Sequence, residues 1–77
     1  MNAEQKVFQA LKELLQKDVS LSADTHLRDD LDLDSANLIE LTVMMHSSYG
    51  IDLGRKSAEQ KLMPETVGDL VTLVSLP

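Results

Sequence analysis

Apolar residues recur at helical spacing in four stretches of this chain, and polar stretches separate them. In residues 3–16, apolar positions three and four residues apart share one helix face. That face comprises Val7, Ala10, Leu11, Leu14 and Leu15. Residues 35–48 predict a second helix, and residues 57–63 predict a short third helix before Pro64. A fourth helix is expected to begin near Thr66, so the pattern predicts an all-α fold.

The expected fourth helix has a recognisable start. Thr66 and Asp69 stand three residues apart, which is the spacing of a capping box. Its predicted inner face comprises Val67, Leu70, Val71 and Val74.

The segment between the first two helices, residues 17–34, is long and polar. Four of its side chains compete for backbone groups and so disfavour a regular helix: Ser20, Ser22, Asp24 and Thr25. Five apolar residues are expected to anchor the loop against the core: Val19, Leu21, Leu27, Leu31 and Leu33.

The second predicted helix carries two apolar stripes. Asp34 is a suitable N-cap and Gly50 a suitable C-terminal stop. One stripe comprises Leu38, Leu41, Thr42, Met45 and Tyr49, and the other comprises Ala36, Ile39, Val43 and His46. A single stripe suffices to bury a helix. We therefore expect the second stripe to be exposed and to face a partner or a cargo.

Size and composition restrict the possible functions. With 77 residues, the chain is predicted to be one domain (residues 1–77) with little room for a deep active-site cleft. Aromatic residues make up only 3%, so the core should be aliphatic, with Met44, Met45 and Met63 as adaptable fillers. There is no cysteine, which excludes disulfides and thiolate metal sites.

The charge of the chain is concentrated in the loop. The net charge is −6, and residues 18–34 contain six aspartates against Arg28 alone. Such a field repels nucleic acid and steers a basic protein partner towards the loop. The first residues lack a signal-peptide pattern, and no apolar run is long enough to span a bilayer. We therefore expect a cytoplasmic protein without stable membrane insertion.

Ser35 is the strongest candidate for a chemical role. It follows Asp34 at the predicted start of the second helix, where the first-turn N–H groups favour a phosphate. The position therefore suits a serine that carries a phosphodiester. By itself, however, an Asp-Ser pair is an ordinary helix start.

The surrounding motifs resemble those of the acyl carrier protein family. They are Leu31-Asp32-Leu33-Asp34-Ser35-Ala36, Ile39-Glu40-Leu41, Tyr49-Gly50-Ile51 and Thr66-Val67-Gly68-Asp69. The resemblance covers nearly the whole chain. It implies a small antiparallel four-helix bundle with three main helices and one short helix.

The resemblance also implies a function. Ser35 would receive 4′-phosphopantetheine from coenzyme A through a phosphopantetheinyl transferase, with Asp34 supporting the modification. The attached thiol would carry acyl groups as thioesters to acyl-transfer and ketosynthase-type enzymes. The chain would be a carrier rather than an enzyme, and we expect it to be a monomer. Ala36, Ile39, Glu40 and Val43 are its predicted partner-binding surface.

Three features depart from the family pattern. Ala36 replaces the usual leucine, and Glu40 is the only acid of the second helix. The third helix region contains Arg55, Lys56 and Lys61, which would oppose a basic partner. These departures favour a specialised pathway, such as polyketide or modified lipid synthesis, over general fatty acid synthesis.

Several alternatives remain open. A peptidyl or D-alanyl carrier would share Ser35 and its prosthetic group, and a helical interaction module would need neither. A calcium-binding EF-hand would need glycine and glutamate where the chain has Ser35 and Leu41. A serine hydrolase would have to use His26 or His46 as its base, and the chain lacks the Gly-x-Ser-x-Gly motif. We therefore expect no metal site and no catalytic residue, although weak binding of divalent cations by the crowded carboxylates stays plausible.

Overall fold

The computed structural model describes residues 1–76, and this part of the chain folds into four helices. These are α1 (Ala3–Leu15), α2 (Ser35–Tyr49), α3 (Leu53–Gln60) and α4 (Val67–Ser75). Within residues 1–76 there is no strand, only an isolated bridge between His26 and Thr66. The predicted four-helix fold is therefore confirmed. None of the helices in this range combines the length and apolar character needed to cross a bilayer.

Capping boxes fix the starts of the three longer helices. In each, the side chain of the N-cap residue accepts from the N–H three positions later, and that later side chain accepts from the N-cap N–H. The pairs are Asn2 with Gln5, Asp34 with Asn37, and Thr66 with Asp69. The predicted starts of α2 and α4 are thus confirmed, whereas the box at Asn2 was not predicted.

The C-terminal ends depend on left-handed backbone conformations. Gly50 ends α2 with φ 66° and donates its N–H to the carbonyl of His46, as predicted. Gln16 ends α1 in the same conformation, with φ 56°.

The predicted position of α3 is wrong by about one turn, since residues 57–63 were expected and the helix spans Leu53–Gln60. The side chain of Asp52 accepts from the N–H of Arg55 at 3.0 Å and starts the helix earlier. Lys61, with φ 53°, ends it three residues before Pro64.

One hydrophobic cluster forms the core, and all four helices and the loop contribute to it. Its buried members are Val7, Ala10, Leu11, Leu27, Leu33, Leu41, Met45, Leu53, Val67, Leu70 and Leu73. Among the predicted loop anchors, Leu27 and Leu33 are fully buried, and Leu21 and Leu31 are partly buried against the cluster. Leu73 was missed from the inner face of α4. The assignment of Met63 to the core was wrong, because its side chain is 80% exposed.

The loop, residues 16–34, is fastened to the segment 65–68, which leads into α4 and forms its first residues. The loop backbone exchanges three hydrogen bonds with that segment, and we call these three bonds the loop clamp. Leu27 N–H donates to Glu65 O at 2.9 Å, Val67 N–H donates to Thr25 O at 2.9 Å, and Gly68 N–H donates to Ala23 O at 3.0 Å. The loop therefore satisfies part of its backbone through tertiary contacts rather than through regular secondary structure.

Gly68 is required by the close approach at the loop clamp. A Cβ atom at this position would lie 2.8 Å from the carbonyl oxygen of Ala23 and 3.2 Å from its Cβ. The oxygen is a backbone atom, so it cannot move away without disturbing the clamp. At Gly54 in α3, the nearest atom would be 3.6 Å away, which is an ordinary contact.

Gly68→Ala should destabilise the fold, and Gly54→Ala is the matched control. Alanine is favoured over glycine in a helix by about 1 kcal/mol. At residue 68 the clash, which costs about 1–3 kcal/mol, should exceed that gain. The control should be neutral or slightly more stable, and chemical denaturation of both variants measures the difference. Equal stabilities of the two variants would show that the loop moves away from the added Cβ atom without loss of stability.

The Asp69 carboxylate links the segment before α4 to its first turn. It accepts from Glu65 N–H at 3.0 Å and from Thr66 N–H at 3.2 Å. The hydrogen bond from Glu65 N–H is the largest cause of a pKa for Asp69 below its usual 3.8, and the bonds from Thr66 add to it. The folded protein thus prefers the ionised carboxylate.

The stabilisation by Asp69 should therefore depend on pH. A carboxyl with a lowered folded-state pKa stabilises fully above its unfolded pKa, and this stabilisation is lost as the pH falls through the folded value. Asp69→Asn should accordingly be less stable than the wild type at pH 7, and the gap should shrink as the pH falls below 3.8. Urea denaturation of both proteins at pH 7 and in this acidic range measures the gap. A stability difference between the two proteins that does not change with pH would show that the charge of the Asp69 carboxylate does not contribute to stability.

Candidate functional site

Ser35 is the first residue of α2, and its side chain is exposed. The capping box next to it runs between Asp34 and Asn37 and does not use the Ser35 hydroxyl. The hydroxyl thus lies at a helix start and is open to solvent.

The backbone around Ser35 is arranged to receive an anion. A helix leaves its first N–H groups without partners inside the helix. Here the N–H groups of Asp34 and Asn37 donate to side chains at 3.1 and 2.8 Å. In the described part of the chain, this leaves the N–H groups of Ser35 and Ala36 for solvent or a phosphate, next to the hydroxyl that would carry it. These residues therefore fit a phosphodiester on Ser35.

The acidic loop before Ser35 has a defined backbone. Asp30 accepts from the N–H of His26 at 2.7 Å, and Asp32 adopts a left-handed conformation with φ 55°. Leu33, between Asp32 and Asp34, is buried and fixes the approach to α2. Across residues 1–76, no group of three or more histidine, aspartate or glutamate side chains is arranged to hold a metal ion.

An apolar cavity of about 590 Å³ opens between α2, α3 and α4. Leu38 lies on its wall, one turn after Ser35, or about 4.5 Å along the helix axis. The volume lies within the range of small-molecule sites. The lining residues are Leu38, Leu41, Thr42, Leu53, Gly54, Ser57, Ala58, Lys61, Leu62, Met63, Pro64, Leu70 and Leu73.

Both hydroxyl groups on the cavity wall already have partners. Thr42 donates to the carbonyl of Leu38 at 3.0 Å, and Ser57 donates to the carbonyl of Leu62 at 2.5 Å. Lys61 is exposed and lies at the rim. The cavity therefore offers a guest mainly hydrocarbon contacts, which suits an aliphatic chain better than a polar one.

The sequence did not reveal this cavity. Its walls combine one face of α2 with α3 and the residues after it, and the predicted α3 was displaced from that position. The run Leu62-Met63-Pro64 was the available signal, because three successive apolar residues cannot all lie on one face of a helix.

The second apolar stripe of α2 is exposed, as expected. Ile39 is 66% exposed and Val43 is 61% exposed, and Ala36, Glu40 and His46 are exposed as well. The other stripe supplies the core through Leu41 and Met45. Ile39, Glu40 and Val43 thus lie with Ala36 on one accessible face of α2. We call these four residues the α2 face.

The predicted basic character of α3 needs a correction. Arg55 pairs with Glu59 at 3.1 Å, and the ammonium group of Lys56 donates to the carbonyl of Leu76 at the end of α4. Of the three cations, Lys61 alone has no ion pair or hydrogen bond in residues 1–76. The α3 region therefore opposes a basic partner less than its composition suggested.

His46 does not support hydrolase chemistry at Ser35. Its side chain is exposed. His46 lies eleven residues further along α2, about 16 Å along the axis from Ser35. General-base catalysis requires hydrogen-bond reach, so His46 cannot activate this hydroxyl.

Comparison with known proteins agrees with this geometry. The family model described as "Phosphopantetheine attachment site" matches residues 5–74. The chain belongs to this family. The prediction from the sequence motifs is therefore confirmed at the level of the family.

Two curated proteins named "Acyl carrier protein" are similar over most of the chain. The protein from Lactobacillus acidophilus is 30% identical, across 94% of this chain and 92% of its own length. The protein from Coprothermobacter proteolyticus is 31% identical, across 91% of this chain and 88% of its own length. No solved structure is significantly similar. Both similarities agree with membership of the phosphopantetheine attachment family.

Truncation of the α2 face should cost little stability. Ile39→Ala and Val43→Ala remove side chains that are mostly in water, so each should cost well under 2 kcal/mol. Leu41→Ala, in the buried stripe, is the control and should cost about 2–5 kcal/mol. Chemical denaturation gives all three values. A large loss of stability in Ile39→Ala or Val43→Ala would show that these side chains belong to the core.

Proposed function

We propose that the chain is an acyl carrier whose Ser35 bears 4′-phosphopantetheine. The supporting observation is the exposed Ser35 hydroxyl beside two N–H groups, with an apolar cavity one turn away on the same helix. When attached, the group supplies a thiol that forms thioesters. The chain itself holds the phosphate at the start of α2 and shelters the cargo.

Each residue at the helix start has a distinct part in this proposal. Ser35 supplies the oxygen that becomes esterified. The N–H groups of Ser35 and Ala36 stabilise the phosphate charge together with the helix dipole. Asp34 fixes the first turn through Asn37, and its exposed position also lets it meet the modifying enzyme.

The cavity favours acyl cargo over amino acid cargo. An aliphatic chain gains about 0.8 kcal/mol for each buried CH₂ group. An aminoacyl group would bring an ammonium group that finds no carboxylate among the cavity-lining residues. We therefore prefer an acyl carrier to a peptidyl or D-alanyl carrier.

We assign partner docking to the α2 face, Ala36, Ile39, Glu40 and Val43. Its two large apolar side chains lie one and two turns after Ser35, so a partner that contacts them is close to the cargo. Glu40 supplies the only acidic charge of α2 for a basic partner. Docking should therefore depend mainly on apolar contact, with phosphopantetheinyl transferase and acyl-transfer or ketosynthase-type enzymes as partners.

A specialised pathway remains our preference, and it now rests on the weakly acidic α2. Two of the three cations near α3 have partners within the chain, so they give less support than the sequence suggested. The cytoplasmic location and the monomeric state stay predictions.

Modification of Ser35 is the decisive test. Incubation with coenzyme A, Mg²⁺ and a broad-specificity transferase should add the mass of one phosphopantetheine group. Ser35→Ala should abolish the addition without changing the helical circular dichroism spectrum, because the hydroxyl takes no part in the capping box. Ser48→Ala, an exposed serine of the same helix, is the control and should be modified fully. Addition to Ser35→Ala would refute the assignment.

Loading with different acyl groups extends the same experiment. Octanoyl-coenzyme A and alanyl-coenzyme A should both label Ser35, but the octanoyl thioester should resist hydroxylamine longer because the cavity shelters it. Equal rates of release for the two groups would show that the cavity does not shelter the cargo. The assignment of Ser35 as the attachment site would be unaffected.

A further inference from the structure

Met63 combines two properties that the other methionines lack. Its side chain lies on the wall of the apolar cavity and is also 80% exposed. Met1 is 65% exposed but lies beside α1, away from the cavity. Met45 is buried in the core and Met44 is half-buried. Among the described residues, Met63 alone therefore has an accessible thioether at the mouth of the cavity.

The sulfur of Met63 also contacts the turn that ends α3. The hydroxyl of Ser57 lies 3.8 Å from this sulfur and 2.5 Å from the carbonyl oxygen of Leu62, to which it donates. The N–H of Leu62 donates back to the carbonyl of Ser57 at 3.1 Å. A change at the sulfur therefore reaches the hydrogen bonds that shape one wall of the cavity.

We propose that Met63 is a site of reversible oxidation that controls how firmly the cavity holds its cargo. The inference about cargo rests on the proposed carrier function. The oxidant is a peroxide. The peroxide must carry a terminal hydroxyl, as hydrogen peroxide or an alkyl hydroperoxide does. The sulfur lone pair attacks that hydroxyl oxygen and forms the S–O bond as the O–O bond breaks. The proton of the attacked hydroxyl passes to the departing oxygen, which leaves as water or an alcohol. The sulfur loses two electrons in this step. A methionine sulfoxide reductase reverses it with a dithiol, which is oxidised to a disulfide while the sulfoxide oxygen leaves as water.

Oxidation changes the cavity mouth from apolar to polar. A sulfoxide oxygen is a strong hydrogen-bond acceptor, unlike the thioether it replaces. It competes with the carbonyl of Leu62 for the hydroxyl of Ser57 and draws water to the rim. An aliphatic cargo then loses an apolar contact and becomes more accessible, whereas the core, which does not include Met63, stays intact.

The first measurement concerns the sulfur itself, in the unloaded protein. Treatment with dilute hydrogen peroxide, followed by peptide mass mapping, gives an oxidation rate for each methionine. Met63 and Met1 should react at similar rates, and both should react about tenfold or more faster than the buried Met45. Oxidation of Met63 no faster than that of Met45 would overturn the proposal.

The second measurement concerns the cavity. Wild type and Met63→Leu are loaded with octanoyl-phosphopantetheine, oxidised and exposed to hydroxylamine. Oxidation should speed octanoyl release from the wild type by about two- to threefold and leave Met63→Leu unchanged, although Met1 is oxidised in both. Met44→Leu is the matched control and should respond as the wild type does. Equal responses of wild type and Met63→Leu would overturn the proposal.

A third measurement separates this inference from the carrier function. Binding of the apolar dye Nile red to the unloaded protein should fall on oxidation of the wild type and not of Met63→Leu. This readout needs no modification of Ser35. Failure to load Ser35 would therefore refute the carrier proposal alone, whereas unchanged dye binding would refute the role of Met63.

Discussion

The loop clamp is the constraint on which the rest of the structure depends. Nineteen residues separate α1 from α2, and without tertiary contacts such a length of chain would leave the start of α2 undefined. Three backbone hydrogen bonds to residues 65–68, with Leu27 and Leu33 buried beneath, hold the loop in one conformation. The acidic residues and Ser35 consequently occupy fixed places, and the segment that leads into α4 is held by the same bonds.

Local chemistry made the start of α2 predictable from the sequence. Asp34 as N-cap, Gly50 as C-terminal stop and the capping box at Thr66 depend on residues within a few positions of each other. Short-range hydrogen bonds of this kind are encoded in the order of residues. The placement of Ser35 at a helix N-terminus followed directly, and the exposure of Ile39 and Val43 followed from the presence of a second stripe that the core did not need.

Features that depend on distant residues were not predictable in this way. The N-cap at Asp52 is a local signal for the start of α3, whereas the burial of Leu53 depends on the packing of other helices. The pairing of Lys56 with Leu76 joins residues twenty positions apart. The cavity likewise needs three helices in their final positions before it exists. Composition alone therefore overstated the positive charge near α3 and gave no sign of where a cargo would lie.

The contact of Gly68 with Ala23 also has a consequence for the order of events during synthesis. Forty-five positions separate the two residues, so the loop clamp cannot form until α4 has left the ribosome and begun to fold. Until then, the loop clamp does not hold the acidic segment that precedes Ser35. An enzyme that recognises the clamped conformation of this segment would thus act on chains that have folded through α4 and not on shorter nascent ones.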